Sequence, residues 1–259
     1  MNHRARKRFG QNFLNDSGII QLIVNAIQPS TKDHLVEIGP GKGAITQELL
    51  PACQQLDAIE LDRDLLPILQ NRFAEETHFN LHSADALKFD FCQLQQRQKL
   101  RIVGNLPYNI STPLIFHILD KRECIQDMHF MLQKEVVDRL AASPNSKAYG
   151  KLTIMTQVQC EVAPLFEIPP EAFDPAPKVH SAFVRLTPRQ QPLVSNDEFA
   201  QFEKLVTAAF AQRRKTLRNN LKKLIDIDQA QQQIDLSRRA ETLTIENFLT
   251  LTRSMSGER

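Results

Sequence analysis

The run Val36-Glu37-Ile38-Gly39-Pro40-Gly41-Lys42-Gly43 constrains the fold of this chain more than any other segment. A short apolar strand ends in three glycines, and a helical pattern follows at Ile45 to Leu50. Glycine there supplies tight-turn torsions that a Cβ forbids and lets the backbone pass close to a ligand. Such a unit belongs in a sheet whose parallel strands are joined by crossover helices, and the chain repeats it. The strand candidates are Leu35 to Ile38, Leu56 to Leu61, Phe79 to His82, Arg101 to Val103, Met128 to Leu132, Gln157 to Val162 and Ala182 to Leu186. Helical spacing at Leu65 to Phe73, Pro113 to Leu119 and Glu135 to Ala142 falls between them. These patterns predict a doubly wound, Rossmann-like α/β domain over residues 1–188.

Thr187 to Asp197, with Pro188, Pro192 and Ser195, carries no periodicity and reads as a linker. Beyond it Phe199, Phe202, Leu205, Val206 and Phe210 recur at helical spacing, then Leu217, Leu221 and Leu224, then Ala240, Leu243 and Phe248 to Leu251. A small, all-helical domain is predicted over residues 189–259, with a dense basic run on one of its helices.

No apolar run approaches the roughly 18 residues that a membrane span needs. The basic start, Met1 to Phe13, has no apolar stretch behind it and does not read as a secretory signal, so a cytoplasmic protein is expected. Cys53, Cys92, Cys124 and Cys160 stand more than thirty residues apart, a spacing that suggests neither zinc nor a disulfide framework. His78 and His82 flank a strand pattern, where their spacing makes no common helical face, and no metal site is expected. His117 and His129 lie in apolar elements and read as satisfied core or edge residues.

The formal net charge of +2 hides an uneven distribution. Arg4, Arg6, Lys7 and Arg8 crowd the start, and Arg213, Arg214, Lys215, Arg218, Lys222 and Lys223 fall in one short stretch without an acid. Each run is either a solvated face or, with the other, the footprint of a polyanion.

By spacing alone the glycine loop fits a dinucleotide fingerprint, with Glu60 placed for a ribose of NAD. It is no P-loop, since no Gly-Lys-Ser/Thr closes it. Glu37, the acid before the glycines, tilts the balance toward S-adenosylmethionine, whose amino group must be held and whose binding requires no pyrophosphate cradle. Glu60 and Asp62 end a buried strand where ribose hydroxyls need acceptors, although Asp62 also suits a helix cap. Asp85-Ala86, after the third strand, offers an acceptor for an adenine amine beside a small neighbour.

Val103-Gly104-Asn105-Leu106-Pro107-Tyr108 ends the fourth strand. Pro107 holds Leu106 extended, so that its carbonyl projects. The exocyclic nitrogen of adenine is a poor nucleophile because its lone pair is delocalised into the ring. Two acceptors, the Asn105 side-chain oxygen and the Leu106 carbonyl, suit its two hydrogens, with Tyr108 stacked on the base. The same tetrapeptide is also compatible with a plain turn.

Taken together, the blocks Arg8-Phe9-Gly10-Gln11-Asn12-Phe13-Leu14, Glu37 to Gly43, Asn105 to Tyr108, Ser146-Lys147-Ala148-Tyr149-Gly150, Phe173 to Ser181 and Phe210 to Arg218 resemble the ribosomal RNA adenine dimethyltransferases, in particular the bacterial 16S rRNA group. The resemblance spans almost the whole chain. It implies S-adenosylmethionine as cofactor, held by Asn12, Leu14, Gly39, Gly41, Glu60, Asp85 and Asn105, with the Gln11 to Leu14 block folded over it. It implies Asn105, Leu106, Tyr108 and Phe173 as the catalytic set, Phe173 being a second stacking aromatic opposite Tyr108. The implied substrate is two adjacent adenosines in the hairpin loop near the 3′ end of 16S rRNA, each dimethylated at N6, in a maturing small subunit. Arg4, Arg6, Lys7, Arg8, Lys147, Lys151, Arg213, Arg214, Lys215, Arg218 and Lys222 are then the RNA contacts, on a chain expected to be monomeric. The alternatives are methylation of 23S rRNA and a mainly non-catalytic role in small-subunit assembly.

Overall fold

The computed structural model describes residues 11–107 and 110–255. Five parallel strands form the heart of a seven-stranded sheet: β2 (His34–Ile38), β3 (Gln55–Glu60), β4 (Phe79–Ser83), β5 (Leu100–Asn105) and β6 (Ile125–Gln133). The order is β4-β3-β2-β5-β6-β9-β7, with β7 (Cys160–Ile168) at the edge and β9 (Ser181–Pro188) inserted between it and β6. The chain winds outward from β2 in both directions, so the switch point lies between β2 and β5, where open α/β sheets bind ligands at the carboxyl ends of their strands.

The expected sheet of parallel strands and crossover helices is present, and it is mixed at one side, where β9 runs antiparallel to β6. Between β7 and β9 the chain has only the 3-10 turn Pro170–Ala172 and the two-residue β8 (Phe173–Asp174), too little for the helical crossover that a parallel partner requires. The strand expected at Gln157 to Val162 is also displaced: Gln157 closes a helix and the strand begins at Cys160. That strand contains Pro164, which an edge position tolerates because one side of the strand meets no partner.

Helix α1 (Ser17–Ile27) starts where the Asp16 side chain accepts from the Ile19 amide, and it buries Ile23 and Ile27. Its neighbours α2 (Ala44–Leu49), α3 (Leu66–Arg72), α4 (Ser111–Leu119) and α5 (Lys134–Leu140) fall within two residues of where periodicity puts them. Ahead of α1, β1 (Phe13–Leu14) pairs antiparallel with β8, Leu14 opposite Phe173.

The chain divides into two compact units, the first comprising residues up to Val137 and Ala163–Pro188, the second Asp138–Val162 and residues from Arg189 onward. The division is therefore not one cut at residue 188. Within the second unit are α6 (Lys151–Gln157), α7 (Asn196–Ala209), α8 (Leu217–Leu221), α9 (Ile227–Gln231) and α10 (Ile245–Arg253). Ser195 caps α7 by accepting from the Glu198 amide, and Phe210 stacks on Phe248 with ring centres 5.9 Å apart. The basic run is not carried by one helix: Arg213, Arg214 and Lys215 occupy the turn before α8, Arg218 is on α8, and Lys222 follows it.

The cysteines and histidines bring two further corrections. Cys92 and Cys124 form a disulfide, two residues 32 apart in sequence with no short motif to announce them. Among the histidines, His117 Nε2 lies 2.8 Å from the Phe89 carbonyl, and His34 and His82 both meet Asp57, at 2.5 and 2.6 Å. His129 is buried but not satisfied: neither ring nitrogen has a hydrogen-bond partner among the described residues, and the ring stacks on Phe183. Burial lowers its pKa from 6.5 to about 4, outweighing the opposite pull of Asp127. An unfolded chain takes up that proton near pH 6.5 while the folded one refuses it until about pH 4. His129 therefore subtracts about 1.4 kcal/mol of stability per pH unit in that window, and about 3 kcal/mol in all. Denaturant titrations of the wild type and His129→Phe at pH 7 and pH 4.5 check this: the difference between them should widen in acid, and parallel losses would refute it.

Candidate active site

The glycine loop closes against its neighbours in a way that only glycine permits. Gly39, Gly41 and Gly43 have φ of 67°, 60° and 81°. A Cβ on Gly43 would stand 2.6 Å from the Phe73 ring, so that position has both a torsional and a steric reason. The Gly39 amide donates to the Ile59 carbonyl at 2.9 Å, drawing the ends of β2 and β3 together. The resulting cleft is lined by Gln11 to Asn15, Glu37, Gly39 to Lys42, Ala44, Ile45, Glu60, Leu65, Asn105 to Pro107 and Asp174.

Two buried carboxylates stand in its floor. Glu37 is 3 % exposed and accepts from the Thr46 hydroxyl at 2.6 Å. Burial, with help from the charge of Glu60, pushes its pKa up to about 7. Glu60 is raised as well, again by burial first, although backbone amides of Asp62, Gly41 and Leu61 oppose the shift. A pair of acids crowded in this way favours a ligand that brings positive charge.

Asn105 ends β5, and its side-chain nitrogen donates to the Asn12 carbonyl at 3.1 Å. That bond fixes which way the amide faces and commits its oxygen to accepting. Leu106 is 1 % exposed, and its amide donates to the Met131 carbonyl at 3.1 Å. Together these bonds hold the turn into Pro107.

Of the residues expected at the site, Asn12, Leu14, Gly39, Gly41, Glu60, Asn105 and Leu106 come together on this cleft. Asp85 is not on its lining; its carboxylate accepts from the Leu87 amide at 3.0 Å in the turn after β4. Phe173 is 4 % exposed and belongs to the core with Leu14, Met131 and Phe183, while its neighbour Asp174 reaches the cleft. Tyr108 lies outside the described residues, as do Arg4, Arg6, Lys7 and Arg8. Periodicity had no means of finding Thr46, Lys42 or Gln11, since each is a single polar side chain in a short element. Lys42 Nζ sits 4.7 Å above the Phe13 ring, and Gln11 donates to Asp62 at 2.9 Å.

In the second unit Lys147, Arg214, Lys215, Arg218 and Lys222 are exposed. Arg213 is exposed too, but one of its nitrogens donates to the Lys147 carbonyl at 3.0 Å, and Lys151 pairs with Glu203 at 3.0 Å. Lys215, Lys222 and Lys223 line one shallow cavity with Asn219 and Asn220.

The family model for ribosomal RNA adenine dimethylases matches residues 2–256. The chain belongs to that family. Among curated dimethylases it is 60% identical to ribosomal RNA small subunit methyltransferase A of Saccharophagus degradans, over 98% of this chain and 95% of the relative. Its counterpart in Hahella chejuensis is 55% identical over 96% and 92%. Among solved structures, a dimethyladenosine transferase from Plasmodium falciparum superposes with a TM-score of 0.81 at 25% identity, covering 92% of this chain and 95% of that one. The 23S rRNA methyltransferase ErmE shares the dimethylase fold at a TM-score of 0.74 and 23% identity, over 94% and 99%. Membership implies methyl transfer dependent on S-adenosylmethionine, and the acid-floored, glycine-walled cleft has the chemistry to hold a cationic cofactor.

Proposed function

We propose that this chain, acting as a monomer in the cytoplasm, dimethylates N6 of two adjacent adenosines in the 3′-terminal hairpin loop of 16S rRNA within the small ribosomal subunit or its precursor. The orientation of the Asn105 amide supports the adenine part of this reading, since with its nitrogen on the Asn12 carbonyl its oxygen is the acceptor that an adenine amine requires, and the likeness to small subunit methyltransferases supports the target. When bound, S-adenosylmethionine would supply a methyl group activated as a sulfonium, with the neutral thioether as leaving group. Asn12, Leu14 and the glycine loop would enclose the cofactor, Glu37 and Glu60 would answer its charge and its ribose hydroxyls, and Asp85, which lies off the cleft lining in the turn after β4, would be its partner on the adenine side.

Asn105 Oδ1 and the Leu106 carbonyl accept the two N6 hydrogens, localising the nitrogen lone pair for attack. No strong base is needed, because positioning supplies most of the acceleration in an in-line transfer and the proton leaves to water afterwards. Tyr108 holds the extruded base by stacking, with Phe173 as the second aromatic once its ring turns from the core toward the base. Stacking tolerates any base, so the choice of site falls to backbone contacts from Arg4, Arg6, Lys7, Arg8, Lys147 and the Arg213 to Lys222 cluster.

Transfer of labelled methyl to unmethylated small subunits, with large subunits, naked RNA and duplex DNA beside them, tests the assignment. N6-dimethyladenosine on the small subunit is the expected product. Label on large-subunit RNA alone would overturn the target. Binding to the small subunit should weaken steeply with salt, each neutralised phosphate adding about 0.7 to 0.9 to the log-log slope. Replacing Arg214, Lys215 and Lys222 together by alanine should flatten that slope by about 2, and an unchanged slope would remove them from the interface.

A further inference from the structure

The proposed chemistry leaves Asp62, a buried acid close in sequence to the cleft residues, without a task. Asp62 is 1 % exposed and lies just beyond the end of β3. Its two oxygens are divided: Oδ1 accepts from the Asp64 amide at 3.2 Å, and Oδ2 accepts from Gln11 Nε2 at 2.9 Å. Its own amide donates to Glu60 Oε1 at 2.7 Å. Gln11 adjoins Asn12, whose carbonyl receives the Asn105 side-chain nitrogen. On the other side of Asn12 the segment is fastened by the pairing of β1 with β8, by the Asn15 amide on the Ala172 carbonyl at 3.0 Å, and by Leu14 in the core.

The Asn12 carbonyl is thus slung between a ladder on one side and a side-chain bond on the other. We propose that Gln11 and Asp62 are positioning residues for methyl transfer: their hydrogen bond latches the N-terminal strap over the cleft and so aims the Asn105 amide at the adenine amine. The inference rests on the assignment of Asn105 as the N6 acceptor. The latch sets an amide donor on a buried carboxyl whose other oxygen is already held by the Asp64 amide. It also joins the two halves of the site, since the backbone at Asp62 is held by Glu60, the acid assigned to the cofactor ribose. Cofactor seating and amide orientation then share one chain of contacts: Glu60, Asp62, Gln11, Asn12, Asn105.

The latch can be reversed without changing net charge, which makes it testable. Gln11→Glu sets two carboxylates against each other and opens it. Adding Asp62→Asn restores a single bond of opposite sense: the new amide nitrogen donates to the new glutamate, while its oxygen keeps the Asp64 amide. With small subunits and saturating cofactor, Gln11→Glu should lower kcat by about 10- to 100-fold, the size of effect that a 1 Å misplacement produces. KM for the small subunit should hold even though opposing a second carboxyl to the buried Asp62 costs thermal stability, and the double variant should recover most of the loss in kcat. A merely structural contact predicts a fall in melting temperature with kcat unchanged at temperatures where the variant is fully folded. Full activity in Gln11→Glu, or a loss that Asp62→Asn does not repair, overturns the proposal. An inactive Asn105→Ala control beside an unrepaired swap confines the failure to the latch, whereas an active Asn105→Ala sinks the Asn105 assignment and the latch with it.

Discussion

Asn105→Ala should lower kcat by about 10²- to 10³-fold, the range seen when one preorganised polar contact to a reacting centre is deleted. The variant should still bind S-adenosylmethionine, more weakly for the lost tie to Asn12, because the glycine loop, Glu37 and Glu60 are untouched. The loss belongs to the chemical step: without an acceptor on one hydrogen, the N6 lone pair stays in conjugation with the ring. Asn105→Asp separates the two jobs of this amide. Its carboxylate can accept, but it faces the Asn12 carbonyl with no hydrogen to donate, so aim is lost although the acceptor is kept. Both variants should therefore be slow in single-turnover assays of dimethyladenosine formation. A fully active Asn105→Asp would mean that the bond to Asn12 is incidental.

The second large effect is on stability. Arg101 on β5 is 6 % exposed, and its guanidinium is spent on four partners. It reaches Asp127 at 3.0 Å, Asp33 at 2.6 Å, and the carbonyls of Ile27 and Gln28 at 2.6 and 3.2 Å. Those carbonyls end α1, where helix termini leave acceptors without internal donors. One side chain thus ties the end of α1 to β5 and β6. Arg101→Met fills the volume but leaves two shielded carboxylates and two carbonyls unanswered, and should cost about 3 to 5 kcal/mol. Arg101→Lys keeps the charge but lacks the planar fork, and should fall between. In a domain of this size 1 kcal/mol moves the melting temperature by about 2–4 °C, so a drop of roughly 10 °C is expected for the methionine variant. A melting temperature unchanged in Arg101→Met would show that the network is neutral.

Most of the first unit was legible because its signals are periodic. A strand buried on both faces, such as His34–Ile38, gives a short, mostly apolar run with only His34 and Glu37 polar, and glycines mark its end. What escaped has no period to detect. The β1–β8 pair is two residues on each side, and its partners lie far apart in sequence. The limits of α6 and β7 blur because Leu152, Ile154 and Met155 continue the apolar character of the strand that follows. Arg101 looks like any strand arginine until Asp33 and Asp127 are seen beside it. At the site, the glycine loop and Asn105 are identified by type and place and Gln11 by the block it belongs to, whereas the bond from Gln11 to Asp62 joins residues 51 apart that no motif links. Phe173 shows the converse limit: a motif names the residue, but only packing says that its ring lies in the core.

Pro164 in the edge strand has a consequence beyond this one molecule. A sheet edge is a row of unused donors and acceptors, and such a row accepts a strand from any neighbouring chain. A proline interrupts the row where continuity matters most. The feature that weakens β7 as a strand therefore guards a crowded solution of these chains against zipping edge to edge.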